Sequence, residues 1–306
     1  MDEREKLAVE IGDPELVHYF YLDMATLDLV GRLDGLSMRL TETQDAVPFN
    51  AQVKGYFGGE DEEGHPWILK PAADSKEILY HRLCGLAYLL DHRMGTLAAP
   101  TTLVRIGGKP YRAIKVVRNA IQISSYNYLE QPFVDIFRAD LVNRWLYFDE
   151  DRNPNNYLVI HNAANRPFVV AIDYDKADLE AERMKITGIP DKFGWQRSEK
   201  TRFLTLLRPE HFQSVPLCVF EPRLLALSAI PESEIRSLAR RLLAGCVENS
   251  EEYAEKIAAN LIARRAYIDD YFRKMFKSAS ETKDISHNDD YSAFGQSFLD
   301  MYKDKK

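Results

Sequence analysis

Apolar and polar positions alternate along this chain with two different periods. Over residues 1–45 the period is helical. Leu16, Val17, Phe20, Tyr21 and Met24 recur at three- and four-residue intervals after Asp13-Pro14, a helix start signal. Residues 27–40 fit helix or strand, and the segment is expected to be a packing extension without chemistry of its own. Over 51–117 the apolar runs are short and broken by turn residues, which predicts strands. Residues 51–59 and 65–70 read as strand, loop, strand. Residues 101–106 and 111–117 flank Gly107-Gly108-Lys109-Pro110, a hairpin signal. Between these pairs, Ile78, Leu79, Leu83, Leu86, Leu89 and Leu90 predict a helix with Asp74 as its cap.

The second half is mostly helical in period. Residues 133–148 are apolar almost all round, with Ile136, Phe137, Leu141, Trp145 and Phe148 on one face, as expected of a central helix. Residues 157–160 and 168–172 predict two buried strands joined by a turn at 161–166. Residues 178–200 are polar, carry Gly188, Pro190 and Gly194, and read as a substrate or activation loop. Helical spacing returns over 202–207, 223–229, 233–243 and 251–276, and the tail from Ser278 is polar. The expectation is an α+β protein: a small sheet-rich part, 1–118, with a helical N-terminal extension, and a larger mainly helical part, 119–306.

Composition narrows the class. The 306 residues are 45% hydrophobic and 28% charged, as in a soluble globular protein. No apolar run reaches the ~18 residues of a membrane span, and the charged N-terminus has no hydrophobic signal core. Cys84, Cys218 and Cys246 stand far apart in apolar settings, which predicts reduced, buried thiols and a cytoplasmic protein. A net charge of −7 argues against nucleic-acid binding, which needs a cationic footprint. It argues more weakly against an anionic membrane lipid as partner.

The chemistry concentrates in Asp151-Arg152-Asn153-Pro154-Asn155-Asn156, followed by Ala171-Ile172-Asp173-Tyr174-Asp175. Pro154 excludes a regular helix, so a loop can turn Asp151 and Asn156, five apart, toward one ligand. The predicted hairpin over 157–172 brings Asn156 and Asp173 to the same end. An acid to orient an attacking hydroxyl, with an amide oxygen and a second acid for Mg²⁺, is the set that ATP-dependent phosphoryl transfer requires. Asp149 and Glu150 are expected to stay solvated. Asp173 and Asp175 alternate along what reads as an extended segment, so both can face one side.

Upstream, Lys70 ends the apolar run Trp67-Ile68-Leu69, and Glu77 follows at the start of the predicted helix. A phosphate-binding lysine needs an opposing carboxylate to hold it extended, and Glu77 is the candidate. Gly58 and Gly59 either admit backbone amides to phosphates or form a plain hairpin turn.

The Asp-Arg-x-x-x-Asn loop followed by Ile-Asp resembles the atypical kinases of the phosphatidylinositol 3/4-kinase superfamily and their bacterial HipA-like relatives. It is also similar to the ordinary protein-kinase loop, in which an Asp precedes an Asn by five. The resemblance spans roughly residues 50–180. It implies a two-lobed protein-kinase-like fold with ATP between the lobes and Mg²⁺ as cofactor. Lys70 would bind phosphates with Glu77 behind it. Asp151 would orient the acceptor, and Asn156 and Asp173 would hold the metal. Residues 115–118 would border the base, with Val117 giving a backbone contact. Arg152 would either touch the transferring phosphoryl group or hold the activation segment. The family often has Gly where Asp175 stands, so Asp175 is either a second metal ligand or the mark of a different path. The acidic chain favours a protein Ser or Thr over a lipid as the acceptor. The alternatives are a lipid or small-molecule kinase, an AMP transferase, and a nucleotide-binding pseudokinase.

Overall fold

The computed structural model describes residues 2–41, 55–149, 153–181, 187–191, 194–196, 202–203, 207, 209–212 and 215–276. The chain opens with three short helices: α1 (Glu3–Ile11), α2 (Pro14–Tyr19) and α3 (Thr26–Asp34). Asp2 and Glu5 form a capping box at α1, and Asp13 caps α2 one residue before the proline at N1. The ambiguous stretch 27–40 resolves into both alternatives. Most of it is α3, and Met38–Leu40 is strand β1.

An antiparallel sheet of five strands follows, ordered β1-β2-β3-β5-β4, with β2 at Phe57–Asp61, β3 at Pro66–Pro71, β4 at Thr101–Ile106 and β5 at Lys109–Lys115. Gly58 and Gly59 do not form a turn. They sit inside β2, paired with Ile68 and Trp67. Gly59 is there because a Cβ would stand 2.6 Å from Leu69 Cδ1, so β2 can cross over Leu69 only without a side chain. Along β3 the period of two sends Trp67 and Leu69 into the core, where both are fully buried. Ile68 and Lys70 consequently face the other way.

Helix α4 (Ser75–Arg93) crosses between β3 and β4, and its buried residues cover most of its surface. A second sheet, ordered β6-β7-β8, is built from Ile121–Gln122, Tyr157–His161 and Pro167–Ala171. Helix α5 (Phe133–Leu146) precedes its hairpin. A third sheet, ordered β11-β10-β9, joins Thr187–Asp191, Gly194–Gln196 and Arg202–Phe203. The helix expected over 202–207 is thus a strand at its start. Helices α6 (Glu221–Ser228), α7 (Glu232–Leu243) and α8 (Ser250–Met275) complete the second half. The architecture is mixed α+β, with antiparallel sheet in the first part and helices dominating the second.

One hydrophobic core runs from Trp67 and Leu69 through α4 and α5 to Ile257, Leu261 and Phe272 of α8. A second cluster joins Ile11, Tyr19, Phe20 and Leu22 to Ile160, Phe168 and Val170. The N-terminal extension therefore packs on the β7–β8 hairpin as well as on the first sheet, where the Lys115 ammonium donates to the Tyr19 carbonyl at 3.0 Å. Of the cysteines, Cys84 is buried, while Cys246 is partly exposed and Cys218 exposed, contrary to the expectation of three buried thiols.

Candidate active site

A cavity of about 300 Å³ opens between the first two sheets. Ile68 and Ile114 line it from the five-stranded sheet, Leu158 and Ile172 from the hairpin side, and Val116 and Val117 from the connection between them. Lys70, Asn156 and Asp173 are among its polar groups, with Tyr56, Gln122 and Asn155. A larger cavity of about 430 Å³, lined by residues of α1, α5 and β8, holds none of the predicted site residues.

The hairpin register explains how Asn156 and Asp173 meet. Tyr157 pairs with Ala171, and the Ile172 N–H donates to the Asn156 carbonyl at 3.0 Å. The ladder thus continues one step past each strand and leaves the two side chains at the same end. Pro154 opens a single 3₁₀ turn, Pro154–Asn156, and the Asn153 side chain caps it by accepting from the Asn155 N–H at 2.9 Å. Asp173 has a left-handed backbone, φ 64°, so the segment after it is not extended as expected. Its Oδ1 accepts from the Asp175 N–H at 3.1 Å, a local turn that swings Asp175 back toward the sheet.

Lys70 sits at the centre. Its ammonium donates to Asp175 Oδ2 at 3.0 Å and lies 3.9 Å from Asp173 Oδ1. Asp175 Oδ1 is paired with the buried Arg112 guanidinium, which also donates to Cys84 Sγ at 2.8 Å. Burial raises the Asp173 carboxyl above its ordinary range, with Lys70 working against the shift and Asp175 adding to it. Burial acts the same way on Asp175, but Arg112 and then Lys70 outweigh it and hold that carboxyl well below the usual range.

Three sequence expectations are corrected. Glu77 does not oppose Lys70: its carboxylate turns back to accept from the Ala73 N–H at 2.6 Å, while its own N–H donates to Asp74 at 2.9 Å, as a helix-end cap. The geometry of the start of α4 uses up its reach, and Asp175 takes the place beside Lys70. Gly58 and Gly59 lie in β2 and do not line the cavity. Asp149 is buried, 1% exposed, rather than solvated. Asp151 and Arg152 lie outside the described residues.

At the connection, residues 115–117 line the cavity and Arg118 does not. The Val116 carbonyl accepts from the Tyr19 hydroxyl, and its N–H donates to the Pro66 carbonyl at 3.0 Å. Among the described residues, the Val117 backbone has no hydrogen-bond partner, so both its groups can meet a ligand. The Lys115 ammonium points away, into the rings of Tyr19 and Tyr21, with centroids at 4.2 and 4.4 Å. Burial lowers it to about 8, against the pull of Asp61 and Glu63.

Sequence reasoning passed over Arg112, Asp91 and Tyr174. Arg112 carried a signal: a cation within the apolar run Tyr111-Arg112-Ala113-Ile114, two residues from Ile114 and so on its face. Tyr174 carried one only by lying between the two acids.

The donor set fits a hard divalent cation. Asp173 and Asn156 offer oxygens at one end of the hairpin, and a magnesium ion takes its remaining ligands from phosphates and water. Among the described residues no group of three His, Cys, Asp or Glu is placed to hold a metal. Among the same residues no helix is long and apolar enough to cross a membrane.

No protein-family model and no curated protein matches the chain. Among solved structures it is similar to the crystal structure of a Helicobacter pylori proinflammatory kinase, CtkA, with 13% identity and a TM-score of 0.47, over 72% of this chain and 90% of that one. At that identity and score the likeness assigns no residue a role.

Proposed function

We propose that this protein is an ATP- and Mg²⁺-dependent phosphotransferase with a hydroxyl acceptor, a protein Ser or Thr being preferred. The observation that carries the reading is the meeting of Lys70 and Asp173, 3.9 Å apart, in a cavity whose remaining walls are largely apolar. A purine fits between Ile68 and Leu158, its edge read by the free Val117 backbone. Residues 1–118 and 119–306 are taken as the two lobes around it.

Lys70 holds the phosphate oxygens, and Asp175 keeps its long side chain extended. The rigidity of β3 fixes where the ammonium ends, which is what a positioning role needs. Asp173 and Asn156 would bind Mg²⁺, which when present neutralises charge on the triphosphate. Asp151 is assigned the acceptor hydroxyl from its spacing to Asn156 alone, and Arg152 a contact to the transferring group or the activation segment on the same basis. The preference for a protein acceptor rests on the net charge of −7, which disfavours an anionic membrane.

The test is incubation of wild type, Asp151→Ala and Asp173→Ala with ATP and Mg²⁺, followed by intact-mass measurement of the protein and of added protein acceptors. Wild type should gain the mass of a phosphoryl group, and both variants should not. An adenylyl mass would replace the reading by AMP transfer. No modification, with ATP still bound, would make the protein a nucleotide-binding pseudokinase.

A further inference from the structure

We infer that Arg112 is a positioning residue for phosphoryl transfer, acting through Asp175 to hold Lys70, so that Asp175 serves as a clamp between the lobes and not as a second metal ligand. The inference rests on the proposed role of Lys70.

The starting point is the β3–β5 register, in which Lys70 is directly opposite Arg112. Side chains at paired positions share a face and lie close together, and like charges there repel. Both cations are buried, at 8% and 2% exposure, so water screens little of that repulsion. A strand pair carrying two buried opposed cations needs a carboxylate between them. Asp175 supplies it from the other side of the cleft, giving Oδ1 to Arg112 and Oδ2 to Lys70.

Arg112 is itself held from behind. One of its nitrogens donates to Cys84 Sγ at 2.8 Å on α4, and its guanidinium lies 5.6 Å from the centre of the Tyr80 ring. The Tyr80 hydroxyl also donates to the Asp175 carbonyl, at 2.5 Å. The guanidinium is therefore a fixed planar donor, and it sets the rotation of the Asp175 carboxylate. With one oxygen engaged by each cation, that carboxylate has its strongest acceptor directions taken. Asp173 Oδ1 lies farther from the Lys70 ammonium, at 3.9 Å, and is the carboxylate assigned to the metal in the proposed function. The ammonium of Lys70 has three donors, so it can keep Asp175 and still reach phosphate oxygens.

The device also explains why Glu77 is free to cap its helix. The carboxylate behind Lys70 comes from the segment that carries Asp173, so the lysine and the metal ligand are set by one turn of backbone.

The experiment measures ATP-dependent phosphorylation and melting temperature for wild type, Arg112→Gln, Arg112→Lys, Asp175→Asn and the double variant Arg112→Gln/Asp175→Asn. Loss of a charge-assisted bond should raise KM for ATP about 10- to 100-fold in Arg112→Gln and in Asp175→Asn, with KM for the acceptor unchanged. The double variant should be little worse than either single one, because both interrupt the same chain of contacts. Arg112→Lys should recover part of the loss. Wild type without ATP-dependent activity would overturn the functional reading itself. Active wild type with Arg112→Gln within twofold of it would overturn this inference alone. Should Arg112→Gln fail to fold, Asp175→Asn and Arg112→Lys decide. An unchanged KM for ATP in Asp175→Asn, or loss of Mg²⁺ affinity there without loss of Lys70 function, sinks the clamp.

Discussion

The Tyr174 hydroxyl donates to Asp91 Oδ2 at 2.8 Å, and this bond ties the segment bearing Asp173 and Asp175 to helix α4. Asp91 is fully buried and also accepts from the Tyr147 hydroxyl at 3.1 Å and from Asn143 Nδ2 at 2.8 Å. One carboxylate thus gathers α4, Asn143 within α5, Tyr147 just beyond its end, and the segment that carries Asp173 and Asp175. Removing it takes this acceptor from both tyrosine hydroxyls, while Asn143 Nδ2 keeps only the Thr96 hydroxyl. Asp91→Ala should cost about 3–5 kcal/mol of stability, and Tyr174→Phe about 1–2 kcal/mol. Urea unfolding measures both. Equal, small effects for the two would show that the cluster is not cooperative around Asp91.

Lys70 and Glu77 should part company on mutation. Lys70→Met removes the ammonium from the cavity and should abolish phosphorylation while the protein stays folded. Glu77→Gln touches only the start of α4, where its carboxylate accepts from Ala73. It should cost about 0.5–1 kcal/mol, the usual worth of a cap, and leave turnover near wild type. A loss of activity in Glu77→Gln comparable to that in Lys70→Met would restore the glutamate as the lysine's partner.

Asn156 and Asp173 should act together in a metal-dependent readout. ATP with Mg²⁺ at about 100 times its dissociation constant stabilises the folded state by roughly 2.7 kcal/mol. Much of that increment should disappear in Asn156→Ala and in Asp173→Asn, whereas the effect of ATP without metal should survive. Calorimetric melting with and without Mg²⁺ gives the four values. If both variants keep the full magnesium increment, neither residue holds the ion.

The parts legible in the sequence were those fixed by local rules. The β7–β8 hairpin was expected at 157–160 and 168–172 and is found at Tyr157–His161 and Pro167–Ala171, because apolar runs bounded by turn residues leave few other options. The same holds for α4 with its Asp74 cap and for α5. Failure came where a residue's role depends on contacts distant in sequence. Asp175 meets Arg112 across 63 positions, and nothing in either neighbourhood announces the other. Glu77 misled for the converse reason: its spacing suited a lysine partner, but the backbone N–H groups at the start of its own helix were nearer. Gly58 and Gly59 suggested a turn because glycine usually marks one, whereas both lie within β2, and at Gly59 a Cβ would meet the side chain of Leu69.

The last expectation concerns acid. His92 lies buried on α4, with Nε2 against the Tyr21 carbonyl at 2.9 Å and Nδ1 against the Thr26 hydroxyl at 2.8 Å. Burial lowers its pKa to about 4, and burial likewise lowers His81 to about 4. In the unfolded chain these rings titrate near 6.5. Below that pH the unfolded state takes up protons that the folded state refuses, so stability falls as pH drops from about 6.5 to about 4. For His92 the full loss is about 3 kcal/mol. Asp175 does not mask this. Its depressed carboxyl contributes stability that is complete above the ordinary carboxylate pKa and is lost only at lower pH. The raised Asp173 carboxyl works the other way, so in urea unfolding at pH 7, 5.5 and 4.5 the histidine's share is the amount by which the decline is steeper in wild type than in His92→Gln, even though that substitution lowers stability at pH 7. A decline no steeper in wild type than in His92→Gln would mean that His92 is protonated in the folded protein, and that α4 is less tightly joined to the N-terminal extension than these two bonds require.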